Sequence, residues 1–272
     1  MVTKLHVISG LPRSGSTLLS ALLRQNPRFS AAMSSPVAAL CGGMLPQMNG
    51  GAEFGVFFDD ARRRTMLRGI FDAYYAHAPD GNVVFDTNRS WTARAALLMT
   101  LYPDARIICC VRDIGWLIDS IERMLNKNPL QLSRVFGFKP GSSVYARAET
   151  LMNSDTGLIG VAWSSMREAW FSDFADRLIV IPYDTLVREP EKTLRRLYGE
   201  VGEPYFQHDF DNVVYDEPDY DAAIGMPGLH KVREKVEYKE RKISIPPDLF
   251  AKYADASFWR RSELNVRGVT LL

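Results

Sequence analysis

The eight residues Gly10-Leu11-Pro12-Arg13-Ser14-Gly15-Ser16-Thr17 carry the types and spacing of an anion-binding turn. They follow an apolar run, Leu5–Ser9, that reads as a buried strand, and they lead into a helical pattern over residues 17–25. A strand, a Gly-rich turn and a helix N-terminus bring several backbone N–H groups together at the positive end of the helix dipole, which suits a phosphate or a related anion. The spacing Gly10-x-x-x-x-Gly15 followed by Ser16-Thr17 is that of a phosphate loop. Such a loop carries Lys directly after its second glycine. Here that position is Ser16, and the cation lies inside the turn at Arg13.

Three further groups of residues could act on the same anion. Arg112 closes an apolar run, Arg106–Val111, at the strand end where open α/β sheets bind their ligands. Ser120 follows two helical turns later, so a cation and a hydroxyl could grip one phosphate from two sides. The run Val83–Asp86 ends in Asp86-Thr87-Asn88-Arg89-Ser90, which offers Asn88 or Arg89 as a polar donor. A carboxylate at the end of such a strand also resembles the metal-holding Asp of nucleotide hydrolases and kinases. Gly225–Arg233 holds His230, Lys231 and Arg233 in a turn-rich stretch whose charges by themselves read as a solvated face.

The elements that must position these groups follow from periodicity. Leu5–Ser9, Val83–Asp86, Arg106–Val111 and Leu178–Tyr183 are short, apolar and rich in β-branched residues, as central strands of a parallel sheet are. Helical patterns lie between them over 17–25, 60–77, 92–102, 114–125, 157–175 and 190–199, and a last one covers 247–254. Asp113 stands where it could cap the helix that begins at Ile114. The alternation predicts an α/β fold with a doubly wound central parallel sheet flanked by helices. Ala38–Gly55, rich in Gly and Met, is expected to be a mobile loop over the site. Asp209–Ile245 is expected to be irregular, acidic first and then basic (Lys231, Arg233, Lys235, Lys239, Arg241, Lys242).

The chain has 272 residues, 46% hydrophobic and 24% charged, which suits a single domain over 1–272 with a core of about 1–205 and a covering segment of about 206–272. A net charge of +1 gives no global reason to expect nucleic acid or a membrane surface as partner. No apolar run approaches the ~20 residues of a membrane span, and no basic, then apolar leader precedes the first strand. Three cysteines, two of them adjacent, point to reduced thiols and a cytoplasmic setting. No group of Cys and His has metal-ligand spacing, so no metal is expected.

The chain resembles the sulfotransferases that use 3′-phosphoadenosine 5′-phosphosulfate (PAPS). Leu11-Pro12-Arg13-Ser14-Gly15-Ser16-Thr17 is similar to the 5′-phosphosulfate loop of that family, Val111-Arg112-Asp113 with Ser120 to its 3′-phosphate motif, and Ile181-Pro182-Tyr183-Asp184-Thr185-Leu186 to its later strand. The resemblance runs from residue 5 to about 200 and is nearest to tyrosylprotein sulfotransferases and their bacterial relatives. It implies that Arg13 stabilises charge on the sulfuryl group, that Pro12, Ser14, Gly15, Ser16 and Thr17 hold the 5′-phosphate, and that Arg112 and Ser120 hold the 3′-phosphate. Tyr183, Lys231 and Arg233 would complete the donor site. Asn88, Arg89 and His230 would stand beside the transferred group. The implied products are a sulfate ester and adenosine 3′,5′-bisphosphate, with no metal, and the implied acceptor is a hydroxyl, favoured as a tyrosine of a peptide or protein.

The general base is left open. The stretch Met33–Val37, where tyrosylprotein enzymes carry Glu, has no carboxylate. Glu53, Asp59 and Asp60 come next along the chain, and His230 is the other candidate. Two other readings remain at this point: a nucleotide kinase or hydrolase with a degenerate loop, and a non-catalytic nucleotide-binding module. A homodimer is also left open.

Overall fold

The computed structural model describes residues 1–79, 81–127, 129–130, 132, 134–136 and 143–272. Six strands, β1 (Lys4–Gly10), β2 (Phe29–Ala31), β3 (Val83–Thr87), β4 (Ile107–Val111), β5 (Leu178–Pro182) and β6 (Thr270–Leu271), form one sheet in the order β2-β3-β1-β4-β5-β6. All pairings are parallel, with His6 opposite Phe85, Cys109 opposite Ser9, and Cys110 opposite Ile181. The chain leaves β1 toward β2 and β3, then returns to the other side of β1 for β4. That reversal opens a crevice beyond the C-terminal ends of β1 and β4, where a doubly wound sheet takes its ligand.

The period of two along each strand divides the core between the two faces. Val7, Ile107, Cys109, Leu178 and Val180 face one layer, and Ile8, Ile108, Cys110, Ile179 and Ile181 face the other. The first layer is covered by α2 (Val37–Met44), α3 (Asp60–Tyr74), α4 (Ala95–Leu101), α5 (Ile114–Lys127), α6 (Val144–Met152) and α7 (Gly160–Phe171). The second is covered by α1 (Ser16–Leu23), α8 (Tyr183–Arg188) and α9 (Pro190–Val201). α5 shows why: Ile114, Leu117, Ile118 and Ile121 recur at helical spacing and are all buried. Burying each such side chain contributes roughly 1.5–3 kcal/mol. The same packing fixes Ser120, also on α5, beside the crevice.

Several expectations are corrected. Ala38–Gly55 is not a loop over the site: it forms α2 and the 3₁₀ turns Leu45–Met48 and Glu53–Phe57. Val37, Ala38, Cys41 and Met48 are buried in the core, which the glycines of that stretch disguise. The helix expected over 92–102 starts as a 3₁₀ turn, Arg89–Arg94, before α4. Asp113 directly precedes α5, its carbonyl accepting from Leu117 N at 3.3 Å, and its carboxylate additionally accepts from Ser257 Oγ at 2.8 Å and Arg260 Nε at 2.7 Å. Residues 209–245 are irregular as expected, apart from the short α10 (Pro218–Ala223). They double back on themselves, with Val232 N donating to Tyr215 O at 3.0 Å and Val236 N to Phe210 O at 2.8 Å. The last helix, α11, spans Pro247–Lys252. No helix among the described residues is long and apolar enough to cross a membrane.

Candidate active site

A cavity of about 850 Å³ fills the crevice. That is within the ~300–1,000 Å³ usual for small-molecule and cofactor sites. Pro12, Arg13, Gly15, Ser16 and Thr17 of the 10–17 turn line it. Gly10 takes φ +95°, and a Cβ there would lie 2.3 Å from the Cys110 carbonyl oxygen, so only glycine lets β1 turn this close to β4. Gly15 takes φ +99° as the cap of α1, and a Cβ would lie 2.9 Å from the Tyr183 ring. Among the described residues no side chain caps α1, and no acidic residue occupies its first turn. Its free N–H groups and dipole therefore face the cavity, next to Ser16 and Thr17.

Arg13 adopts φ +58°, a left-handed conformation costing a non-glycine residue roughly 1–2 kcal/mol. The surroundings hold it there. Its Nε donates to Ser120 Oγ at 3.3 Å and its Nη1 to the Leu229 carbonyl at 2.5 Å. Burial lowers the Arg13 pKa, while Tyr183 and Asp221 work in the opposite direction. The loop cation thus touches the hydroxyl that the resemblance gives to the 3′-phosphate. Ser14 departs from its expected role. Its hydroxyl is fully buried and bonds the Leu11 and Cys110 carbonyls, so it fastens the loop to β4 and only its backbone can serve an anion.

Arg112 extends from β4 over the Tyr183 ring, with its guanidinium carbon 4.4 Å from the centroid, and reaches the Trp116 ring at 5.7 Å. Such cation–π contacts orient the guanidinium without neutralising it. Burial, then the neighbouring cation Arg241, pushes its pKa down to about 10. Among the other cavity cations, Lys235 pairs with Asp211, Lys239 with Glu237, and Arg260 with Asp113 and Asp184. Arg13, Arg89, Arg112, Arg188, Lys231, Arg233 and Arg241 line the cavity with no ion pair among the described residues. Uncompensated charge of one sign in a walled cleft favours a multiply charged anion.

At the end of β3 the structure separates the two donors. The Asn88 amide is engaged locally: its Oδ1 accepts from Ser90 N at 3.0 Å and Ser90 Oγ at 2.8 Å, and its Nδ2 donates to the Ser35 carbonyl at 3.0 Å. Arg89 projects into cavity solvent, although protein walls around it lower its pKa. Asp86 is not in the cavity. Its buried carboxylate accepts from Trp91 Nε1 at 2.6 Å, Tyr75 Oη at 2.7 Å and Ser35 Oγ at 2.5 Å, and burial raises its pKa. It is a structural acceptor, which removes the main support for a metal-dependent kinase.

Pro12, Arg13, Gly15, Ser16, Thr17, Asn88, Arg89, Arg112, Ser120, Tyr183, His230, Lys231 and Arg233 all line this one cavity, and Ser14 is the exception. Arg241, Arg260, Trp116 and Tyr220 were missed as site residues. Arg241 lies within a basic stretch that reads equally well as a solvated face, and Arg260 has no local signal at all.

Comparison with known proteins agrees with this geometry. The model of the sulfotransferase family matches residues 7–207, and the chain belongs to that family. It is therefore an enzyme of the sulfuryl-transferring class. Among solved structures, the sulfotransferase domain from the curacin biosynthetic pathway is similar with a TM-score of 0.58 and 15% identity, covering 94% of this chain and 97% of that one. A sulfotransferase from Alicyclobacillus acidocaldarius is similar with a TM-score of 0.53 and 15% identity, covering 82% and 90%. At such identity the likeness is one of fold. No curated protein matches.

Proposed function

We propose that the cavity binds PAPS and that the enzyme transfers its sulfuryl group to an acceptor hydroxyl, favoured as a tyrosine of a peptide or protein. The carrying observation is the N-terminus of α1, uncapped by any described side chain, facing a cluster of cations without carboxylate partners among the described residues. These residues fit a donor with anionic groups at two places. The N–H groups of Gly15, Ser16 and Thr17 would hold the 5′-phosphate. Arg112 and Ser120, with Lys231 and Arg233, would hold the 3′-phosphate. Bound there, the donor supplies an activated sulfuryl group on a phosphate leaving group.

The chain's own residues supply positioning and charge. Arg13, set beside the loop, would stabilise negative charge as it moves onto the leaving phosphate, and Arg89 would face the sulfuryl oxygens. Asn88 would act mainly by holding the turn that carries Arg89. Once Glu53, Asp59 and Asp60 are set aside, His230 is the base candidate that lines the cavity. We place the first part of the expected covering segment, residues 206–245, over the cavity, whereas Leu249, Phe258, Trp259 and β6 in the rest of 206–272 belong to the core and the sheet. Three buried free cysteines support a reducing, cytoplasmic setting.

Calorimetry tests this directly. Adenosine 3′,5′-bisphosphate is expected to bind in EDTA, whereas ATP is expected not to gain affinity from Mg²⁺. Mg²⁺-dependent ATP binding without bisphosphate binding would sink the proposal. Transfer of ³⁵S from PAPS to a tyrosine-containing peptide, compared with small alcohols and phenols, tests the acceptor.

A further inference from the structure

His230 is not a lone histidine. Its Nδ1 lies 2.5 Å from Asp221 Oδ1, and its backbone N–H donates to Asp221 Oδ2 at 2.8 Å. Asp221 lies on α10 and is completely buried, so one residue occupies both oxygens of an enclosed carboxylate. The backbone on either side is pinned as well: Asp221 N donates to Glu217 O at 3.0 Å, and Met226 N to Asp221 O at 2.9 Å. The Tyr220 ring meets the imidazole edge-on at 5.4 Å. A carboxylate only accepts, so Nδ1 must carry the proton, and a neutral ring then keeps its lone pair at Nε2. Nε2 has no partner among the described residues and is not among the enclosed polar atoms left without one. It is therefore accessible, on a residue that lines the cavity. The carbonyl of the preceding residue, Leu229, accepts from Arg13 Nη1 at 2.5 Å, which ties this segment to the loop cation.

We infer that Asp221 is a positioning residue that holds His230 in the tautomer able to take the acceptor's proton through Nε2. The inference rests on the sulfuryl-transfer reading above. In the step, the acceptor oxygen forms the new S–O bond, the bond from sulfur to the donor phosphate breaks, and the hydroxyl proton moves to Nε2. The imidazolium so formed is stabilised by the Asp221 carboxylate, the division of labour familiar from catalytic triads. A plain staple closing residues 221–230 would use the same contacts, so the test must separate the two.

Asp221→Asn does so. The backbone N–H of His230 is an obligate donor, so the new amide is expected to turn its oxygen toward it and its NH₂ toward Nδ1. The ring proton then moves to Nε2 and the accessible lone pair is lost. Three measurements follow. Long-range ¹H–¹⁵N spectra should show Nε2 unprotonated in the wild type and protonated in Asp221→Asn. kcat with PAPS and N-acetyltyrosinamide should fall about 100-fold or more, whereas kcat with 4-nitrophenol, which ionises without help, should change less than about threefold. The Kd for adenosine 3′,5′-bisphosphate should stay within about threefold of wild type. Equal loss with both acceptors, no loss with either, or an unchanged tautomer overturns the assignment. Should Asp221→Asn lose bisphosphate binding, His230→Gln carries the same acceptor comparison, and an unsplit loss there overturns it too. A wild type that binds no bisphosphate and transfers to neither acceptor removes the sulfuryl-transfer reading and this role with it. An active wild type whose variants show no split removes this role alone.

Discussion

Two regions face the same cavity and are built by opposite means. Residues 10–17 are a local device. One strand, one turn and one helix N-terminus are contiguous in sequence, and two glycines with φ near +100° hold the backbone so that its N–H groups converge. The segment from Asp221 to Arg241 is a composite with little regular structure. It owes its shape to single ties: Val232 to Tyr215, His230 to Asp221, and Leu229 to Arg13. The first region supplies fixed dipoles that need no side-chain order. The second supplies long cationic side chains whose placement depends on those ties. An anion should therefore find the loop ready and draw the cationic segment to itself.

The comparison breaks most readily at Arg13, where the two regions touch. Arg13→Ala removes the cation from the loop and the donor to Leu229 together. kcat is expected to fall about 10³-fold, the size of loss seen when a charge-stabilising donor is removed. Bisphosphate affinity should weaken less than about tenfold, because the N–H groups and Arg112 remain. Arg112→Ala should reverse the pattern, with an affinity loss of about 10- to 100-fold and a smaller effect on kcat. Steady-state kinetics with calorimetry on both variants decides it. Near-normal turnover in Arg13→Ala would remove the loop's catalytic role.

Gly10→Ala tests the claim that backbone geometry makes the loop. The added methyl would meet the Cys110 carbonyl at 2.3 Å at a φ that L residues avoid. About 3 kcal/mol of destabilisation is expected, read as a lower urea midpoint at unchanged m-value. Ala in the composite segment at Gly228, also at positive φ (+76°) but with open space around its Cβ, should cost only about 1 kcal/mol. Equal costs at the two positions would contradict the contrast.

The same division explains what the sequence made legible. β1, β3, β4 and β5 stand out because central parallel strands are short, apolar and buried on both faces. β2 and β6, three and two residues long, are too short to leave a periodic signal. The loop motif named its own cavity residues, except that Ser14 proved to be a buried fastener. His230 was visible only as an isolated histidine. Its partner Asp221 lies nine residues away across two turns, in a stretch whose many acids conceal the one that is buried. Choosing Arg89 over Asn88 needed the Ser90 and Ser35 contacts, which no spacing rule predicts.

The smallest expected effect distinguishes the regions by acid. His6 lies on β1 beneath the loop, where burial, with Lys4 and Arg106 adding to it, pushes its pKa down to about 3. Its Nδ1 accepts from Arg106 N at 3.1 Å, a bond only the unprotonated nitrogen can make. His208 ties the C-terminal segment to α9 through Tyr198 Oη at 2.9 Å, and burial pushes its pKa down to about 4. Both folded values lie below the unfolded value of about 6.5. The unfolded chain therefore binds more protons once the pH drops below about 6.5, and stability falls as the pH falls. Each histidine adds a slope of up to about 1.4 kcal/mol per pH unit, so about 1 kcal/mol each near pH 5.5. The His208 part should level off at about pH 4 and the His6 part at about pH 3. Urea midpoints from pH 7 to 4 should thus be flatter for His208→Gln and for His6→Gln than for the wild type. If the contrast holds, bisphosphate affinity at neutral pH should suffer more in His208→Gln, because that variant loosens the chain that leads into the composite segment and leaves the loop intact.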